Sequence, residues 1–103
     1  MRFLVKARIP VEAGNAFIRD AKFKKRMDEI LGDIKPETAY FLAECGQRNM
    51  YLIVNLDGAH QIPAVAEPLW LALKADVDFV PIMDAPDMAK ATPSIERAAK
   101  KYK

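Results

Sequence analysis

The sequence has one cysteine and one histidine in 103 residues. A single thiol excludes an internal disulfide, and one thiol with one imidazole falls short of the usual zinc ligand sets. No metal and no cofactor is expected. No apolar run approaches the ~18 residues of a membrane span, so no membrane association is expected. The amino-terminal MRFLVKARIP has charges spaced through it and no cleavage site, and it does not read as a secretory signal. Internal repeats and low-complexity linkers are missing too. These absences lead to the expectation of a cytoplasmic protein.

What is present is a folding composition. Hydrophobic residues make up 51% and charged residues 29% of the chain, far from a disordered profile. A chain of this length forms one domain, expected over residues 1–103, and buries roughly 65% of its unfolded surface. Charge is unevenly placed. Residues 1–26 hold eight basic and two acidic side chains, residues 27–96 hold four basic and twelve acidic, and residues 97–103 add four basic. Such blocks neutralise one another within a fold or across a subunit contact, or they mark a binding patch.

Hydrophobic period gives the elements. In residues 2–9, Phe3, Val5, Ala7 and Ile9 alternate with Arg2, Leu4, Lys6 and Arg8, which is a strand with one apolar face ended by Pro10. Residues 11–31 carry helical spacing, with Gly32 suited to the C-terminal cap and a break possible near Asp20. Thr38 to Glu44 and Asn49 to Leu56 are two strands around Cys45-Gly46-Gln47-Arg48, a hairpin signal. Any even loop length puts Ala39, Phe41, Ala43, Met50, Leu52 and Val54 on one face, so Phe41 is expected to be buried beneath the helices. A second helix starts near His60 to Gln61, with Pro63 in its first turn and Pro68 as a kink. Residues 77–83 form a last strand, confined to a sheet edge by Pro81. Asp84-Ala85-Pro86 caps a terminal helix that Thr92-Pro93 either kinks or splits.

The order β-α-β-β-α-β plus a C-terminal helix, with right-handed crossovers and one hairpin, predicts an α+β fold. It is the ferredoxin-like βαββαβ plan: a four-stranded antiparallel sheet in the order 4-1-3-2 with both main helices on one face. The other face then displays Arg2, Leu4, Lys6, Arg8, Asn49, Tyr51, Ile53 and Asn55 centrally. Tyr40, Leu42 and Glu44 flank it on one side, and Asp78, Val80 and Ile82 on the other. Half of these fourteen positions are aliphatic or aromatic. An uncovered antiparallel face normally reads polar, so a homodimer through this face is expected.

The texts MRFLVKARIP, KPETAYFLAE, IPAVAEPLWLAL and VDFVPIMDAPDM, together with this element order, resemble a family of short bacterial proteins of unknown function. That family is itself similar to the dimeric α+β barrel superfamily. The resemblance implies two sheets packed face to face with a small pocket in each half. The superfamily includes cofactor-independent monooxygenases, lactone isomerases, dehalogenating enzymes and ligand-sensing domains, so fold leaves function open. Cys45 departs from the Asn or Asp that similar sequences carry before Gly46.

Lys6, Arg8, Tyr51, Asn55 and Asp78 are the candidate ligand-binding residues on the open face. Cations beside tyrosine hydroxyls suit a small anionic or phenolic ligand. The competing reading makes them ion pairs at a dimer interface, with Asp78 or Glu44 as partner. Asp20 and Lys24 fall in the apolar arc of the first helix, which reads as a pocket rim, as an i,i+4 pair, or as a helix break that turns both outward. His60, Cys45 and Trp70 read as surface, turn and packing residues. KFKKR at 22–26 and the KKYK tail read as solvated basic segments. RNMYLIVNL has one tyrosine and no glycine, unlike the aromatic, glycine-containing string of RNA-recognition domains, so no nucleic acid is expected. The function expected is a small-molecule-binding or structural homodimer. The alternative is a cofactor-independent monooxygenase or isomerase acting on a small aromatic or lactone.

Overall fold

A computed structural model describes all of Met1–Lys103. Strands β1 (Arg2–Ile9), β2 (Thr38–Glu44), β3 (Gln47–Asn55) and β4 (Asp76–Pro81) form one antiparallel sheet. Helices α1 (Val11–Arg19) and α2 (Phe23–Ile34) lie between β1 and β2. Helix α3 (Ile62–Leu73) lies between β3 and β4, and α4 (Ala85–Lys101) ends the chain. The fold is α+β. The sheet runs β2-β3-β1-β4, and the same sheet read from the β4 edge is 4-1-3-2.

Register follows from alternation. Val5 stands opposite Leu52 on β3 and Phe79 on β4, and Ala7 opposite Met50 and Val77. Val5, Ala7, Ile9, Met50, Leu52 and Val54 are buried, and they meet Val65, Leu69 and Leu73 of α3 and Phe17 of α1 in one core. Pro63 sits in the first turn of α3, where a missing N–H costs nothing.

The first crossover is two helices, divided at Asp20 where the sequence leaves room for a break, so the element order is not a simple βαββαβ. The break is made by Asp20, whose carboxylate accepts from the Lys22 backbone N–H at 2.8 Å and from Arg26 Nη1 at 3.2 Å. A short side chain that competes for local backbone donors ends a helix in this way. Gly32 is not the cap of α2. It lies inside the helix, and Lys35 takes the left-handed cap position at φ 53°. The last strand is Asp76–Pro81 rather than 77–83, and α4 runs unbroken through Pro93.

Phe41 is also not buried. It pairs with Met50 across the hairpin and faces the helix side, as parity requires. Yet it is 60% exposed, because the helices pack chiefly on β3, on β4 and on one another, and of the β2 side chains only Ala39 packs against the core. The turn itself is two residues, Cys45 (φ 54°) and Gly46 (φ 72°), both left-handed, the primed turn that matches strand twist.

Helix α4 leaves the body. It begins at a capping box in which Asp84 Oδ1 accepts from Asp87 N at 2.9 Å and Asp87 Oδ2 from Asp84 N at 3.2 Å. Arg2 anchors this cap through Asp84 at 3.1 Å. No residue of α4 is buried. The radius of gyration is 17.3 Å, against about 13 Å for a compact chain of this size, and the longest dimension is 59 Å.

Two stability outcomes follow. Leu52→Ala should cost about 2–5 kcal/mol in urea unfolding, whereas Phe41→Ala should cost about 1 kcal/mol or less, because little of its ring leaves water. Cys45→Asn should raise the urea midpoint, by about 1 kcal/mol of stability, since asparagine tolerates the left-handed region better than cysteine.

Candidate functional site on the open sheet face

The open face is built on the alternate residues of the same strands. Lys6 on β1 stands opposite Tyr51 on β3 and Asp78 on β4, and Arg8 stands opposite Asn49 and Asp76. Lys6 Nζ lies 5.5 Å from the centroid of the Tyr51 ring, close enough for a cation–π attraction. Tyr51 Oη donates to Glu44 Oε1 at 2.6 Å. Around these groups is a shallow hollow of about 120 Å³ lined by Lys6, Arg8, Tyr51, Asp78, Glu44, Asn49 and Asp76.

Of the five residues singled out from sequence, the structure brings together Lys6, Arg8, Tyr51 and Asp78. Asn55 is elsewhere. It pairs with Arg2 near the other end of the strand, and its Oδ1 accepts from the Met1 amino group at 2.9 Å. Parity puts Asn55 and Tyr51 on one face, but four residues of strand separate them by roughly 13 Å. Two participants were missed. Asn49 is buried, and its Nδ2 donates to the Glu44 and Gln47 carbonyls at 3.1 and 2.9 Å, which ties the hairpin end to the site. Asp76 enters because β4 starts one residue earlier than its hydrophobic alternation does.

The hollow holds two cations and three carboxylates. The ion pairs of the chain, Arg2–Glu37, Arg2–Asp84 and Arg26–Asp20, all lie outside it. Lys6 and Arg8 therefore make no intrachain ion pair. The Glu44 hydrogen bond, with desolvation second, pushes the Tyr51 phenol above its usual range. Tyr51 is thus a donor at neutral pH and not a base.

The other candidates disperse. Asp20 turns outward at the helix break, bonded to Arg26 rather than to Lys24, and its bond from the Lys22 N–H holds its carboxyl below the usual range. His60 is exposed in the 3-10 turn before α3, Cys45 is exposed at the hairpin tip, and Trp70 is 44% exposed. Lys24 lies on the opposite side of the molecule, beside a larger apolar cleft. No group of three or more histidine, cysteine, aspartate or glutamate side chains is placed to hold a metal ion. No helix is long and apolar enough to cross a membrane.

Comparison with protein-family models, with curated proteins and with solved structures finds no match to this chain. The residues and their geometry carry the functional argument.

The raised Tyr51 has a measurable consequence. The folded state holds this proton more tightly than the unfolded chain does. Its contribution to stability is therefore complete below the ordinary tyrosine range, about pH 10, and is lost as pH rises through the raised value. In an ultraviolet phenolate titration, Tyr51→Phe should remove the step at highest pH, and Glu44→Gln should move that step down.

Proposed function

We propose that the chain acts as a small-molecule-binding homodimer of the dimeric α+β barrel type, each subunit a variant of the ferredoxin-like plan. Two open sheet faces pack together and enclose the hollow of Lys6, Arg8, Tyr51 and Asp78. The observation that carries this reading is the charge cluster toward one end of the face, beside the apolar row of Leu4, Ile53 and Val80. Two cations without intrachain ion pairs stand beside three carboxylates, a self-complementary set. A two-fold contact places the same patch on both sides, so cations of one copy meet carboxylates of the other.

Apolar side chains flank the cluster. Tyr40 and Val80 are exposed, and Leu4, Leu42, Ile53 and Ile82 are half-buried. Removing such area from water stabilises by roughly 25 cal/mol per Å². Helix α4, which projects from the body, leaves this face free to pair. Within the enclosed space Lys6 and Arg8 offer donors to a small anionic or phenolic molecule, and the Lys6–Tyr51 contact provides a flat wall for a ring. Binding is favoured over base catalysis by this pair because Tyr51 stays protonated and the Glu44 oxygen that faces it is already accepting a hydrogen bond.

Light scattering of the wild-type protein at tens of micromolar should give a dimer. Leu42→Glu and Ile53→Glu should shift it toward folded monomer, with helical circular dichroism retained. A wild-type monomer would refute the proposal, and a dimer unaffected by both substitutions would refute its geometry.

A further inference from the structure

On the side of the molecule away from the charge cluster, the break at Asp20 and the short reach of the helices leave a cleft between α1, α2 and the β2–β3 hairpin. Its volume is about 480 Å³, within the range of small-molecule sites. The walls are aromatic and aliphatic: Phe17 and Ile18 from α1, Phe23 and Met27 from α2, and Phe41 from β2. Three charged side chains line it, Lys24, Arg48 and Asp28.

Arg48 is positioned rather than loose. Its Nη2 donates to Asn15 Oδ1 at 3.1 Å. Its Nη1 occupies the space where a Cβ on Gly14 would be, 2.6 Å from that position. The absence of a side chain at Gly14 thus lets the guanidinium lie against the first turns of α1. Neither Arg48 nor Lys24 takes part in an ion pair of the chain. A guanidinium has five N–H donors, and the structure records a bond for one of them, so a forked pair remains for an anion. With Asp28 counted, the charged lining carries a net charge of +1, matched to a single negative charge.

We propose that this cleft binds an amphipathic monoanion, an aliphatic or aryl carboxylate, with its apolar body among the phenylalanines and its carboxylate on Arg48 and Lys24. The arrangement explains two features that the core does not require: a phenylalanine on β2 left open to solvent, and a glycine in α1 whose missing side chain makes room for a cation. The site lies on the face opposite the charge cluster and does not depend on the sheet-face dimer.

The test is calorimetric titration of the full chain with decanoate, decanol and decyltrimethylammonium. Decanoate should bind saturably, with decanol at least tenfold weaker and the cation weaker still. Arg48→Gln, at an exposed position, should weaken decanoate about tenfold and leave decanol unchanged. Gly14→Ala should weaken decanoate several-fold by displacing the guanidinium, with the circular dichroism spectrum retained in both variants. Leu42→Glu, on the opposite face, should bind decanoate as the wild type does, even where it dissociates the dimer. The proposal is overturned by any of three results: no saturable binding up to about 1 mM decanoate, equal binding of decanoate and decanol, or decanoate binding insensitive to Arg48→Gln. Loss of binding as protein concentration rises would show a second copy in the cleft and would overturn it as well.

Discussion

The pairing of β1 with β3 is the constraint on which the rest of the molecule depends. It places Val5 against Leu52 and Ala7 against Met50 on one face, and Lys6 against Tyr51 and Arg8 against Asn49 on the other. A slip of one residue would turn every core side chain to the opposite side. The burial of the first set and the gathering of the second are therefore one event. The two-residue turn at Cys45-Gly46 extends this register to β2. That extension brings Glu44 to the Tyr51 hydroxyl and holds Phe41 on the helix side. A strained left-handed cysteine is tolerated there because a hairpin closed by two residues needs positive φ at both.

Which face each strand residue occupies was legible in the sequence, since a period of two is a local property. Val5, Met50 and Leu52 are buried as alternation requires. How far along a face a residue lies, and whether anything covers it, depends on tertiary geometry. Asn55 shares a face with Tyr51 but belongs to the other end of the strand. Phe41 has the right parity but stands at the wall of an open cleft beside α1 and α2 and stays 60% exposed. The helix break was foreshadowed by weak helix formers in the first turns, but its cause is the local capture of backbone and side-chain donors by Asp20. Gly32 looked like a cap because glycine prefers one, whereas α2 continues to Ile34 and ends on a lysine held at positive φ. The residue types of the charge cluster were readable. Its composition was completed by Asp76, whose pairing with Arg8 is set by β1 and not by the alternation of β4.

The two faces of the sheet therefore pose different chemical problems. On the helix side the chain has buried most of what it can, and the cleft beside Phe41 remains because three short helices do not span four strands. Its charged groups sit at the ends of flexible side chains, around walls that exclude water. On the open side the charges gather toward the end of the sheet that holds Arg8, Asn49 and Asp76, and Leu4, Ile53 and Val80 form the adjoining apolar row. Charges within any desolvated contact would need partners of opposite sign, because an unpaired ion loses more in desolvation than the surrounding contacts return. The cluster carries both signs, so contact with a copy of itself would meet that need, whereas a partner of uniform charge would leave one sign exposed to repulsion.

Helix α4 sharpens the same argument. Isolated helices shorter than about 15 residues are marginal in water, and most helical stability in proteins comes from packing an apolar side. At 17 residues, α4 is only slightly longer. It is secured at its start by the Asp84–Asp87 capping box and by Arg2, but Met88 and Ile95 along its length and Tyr102 just past its end are exposed. Arg97, Lys100 and Lys101 make its far end basic and Lys103 follows, while the body it leaves, residues 1–84, holds eleven basic and twelve acidic side chains, close to balance. A helix with an unused apolar side and a basic end, projecting from a body of nearly balanced charge, gains little from its own subunit. Both it and the sheet face are incomplete in a single chain. They are alike in leaving apolar area in water. The geometry that leaves α4 projecting thus leaves its stability to its capping box, its Arg2 anchor and its own backbone hydrogen bonds, the terms that act without a packed apolar side.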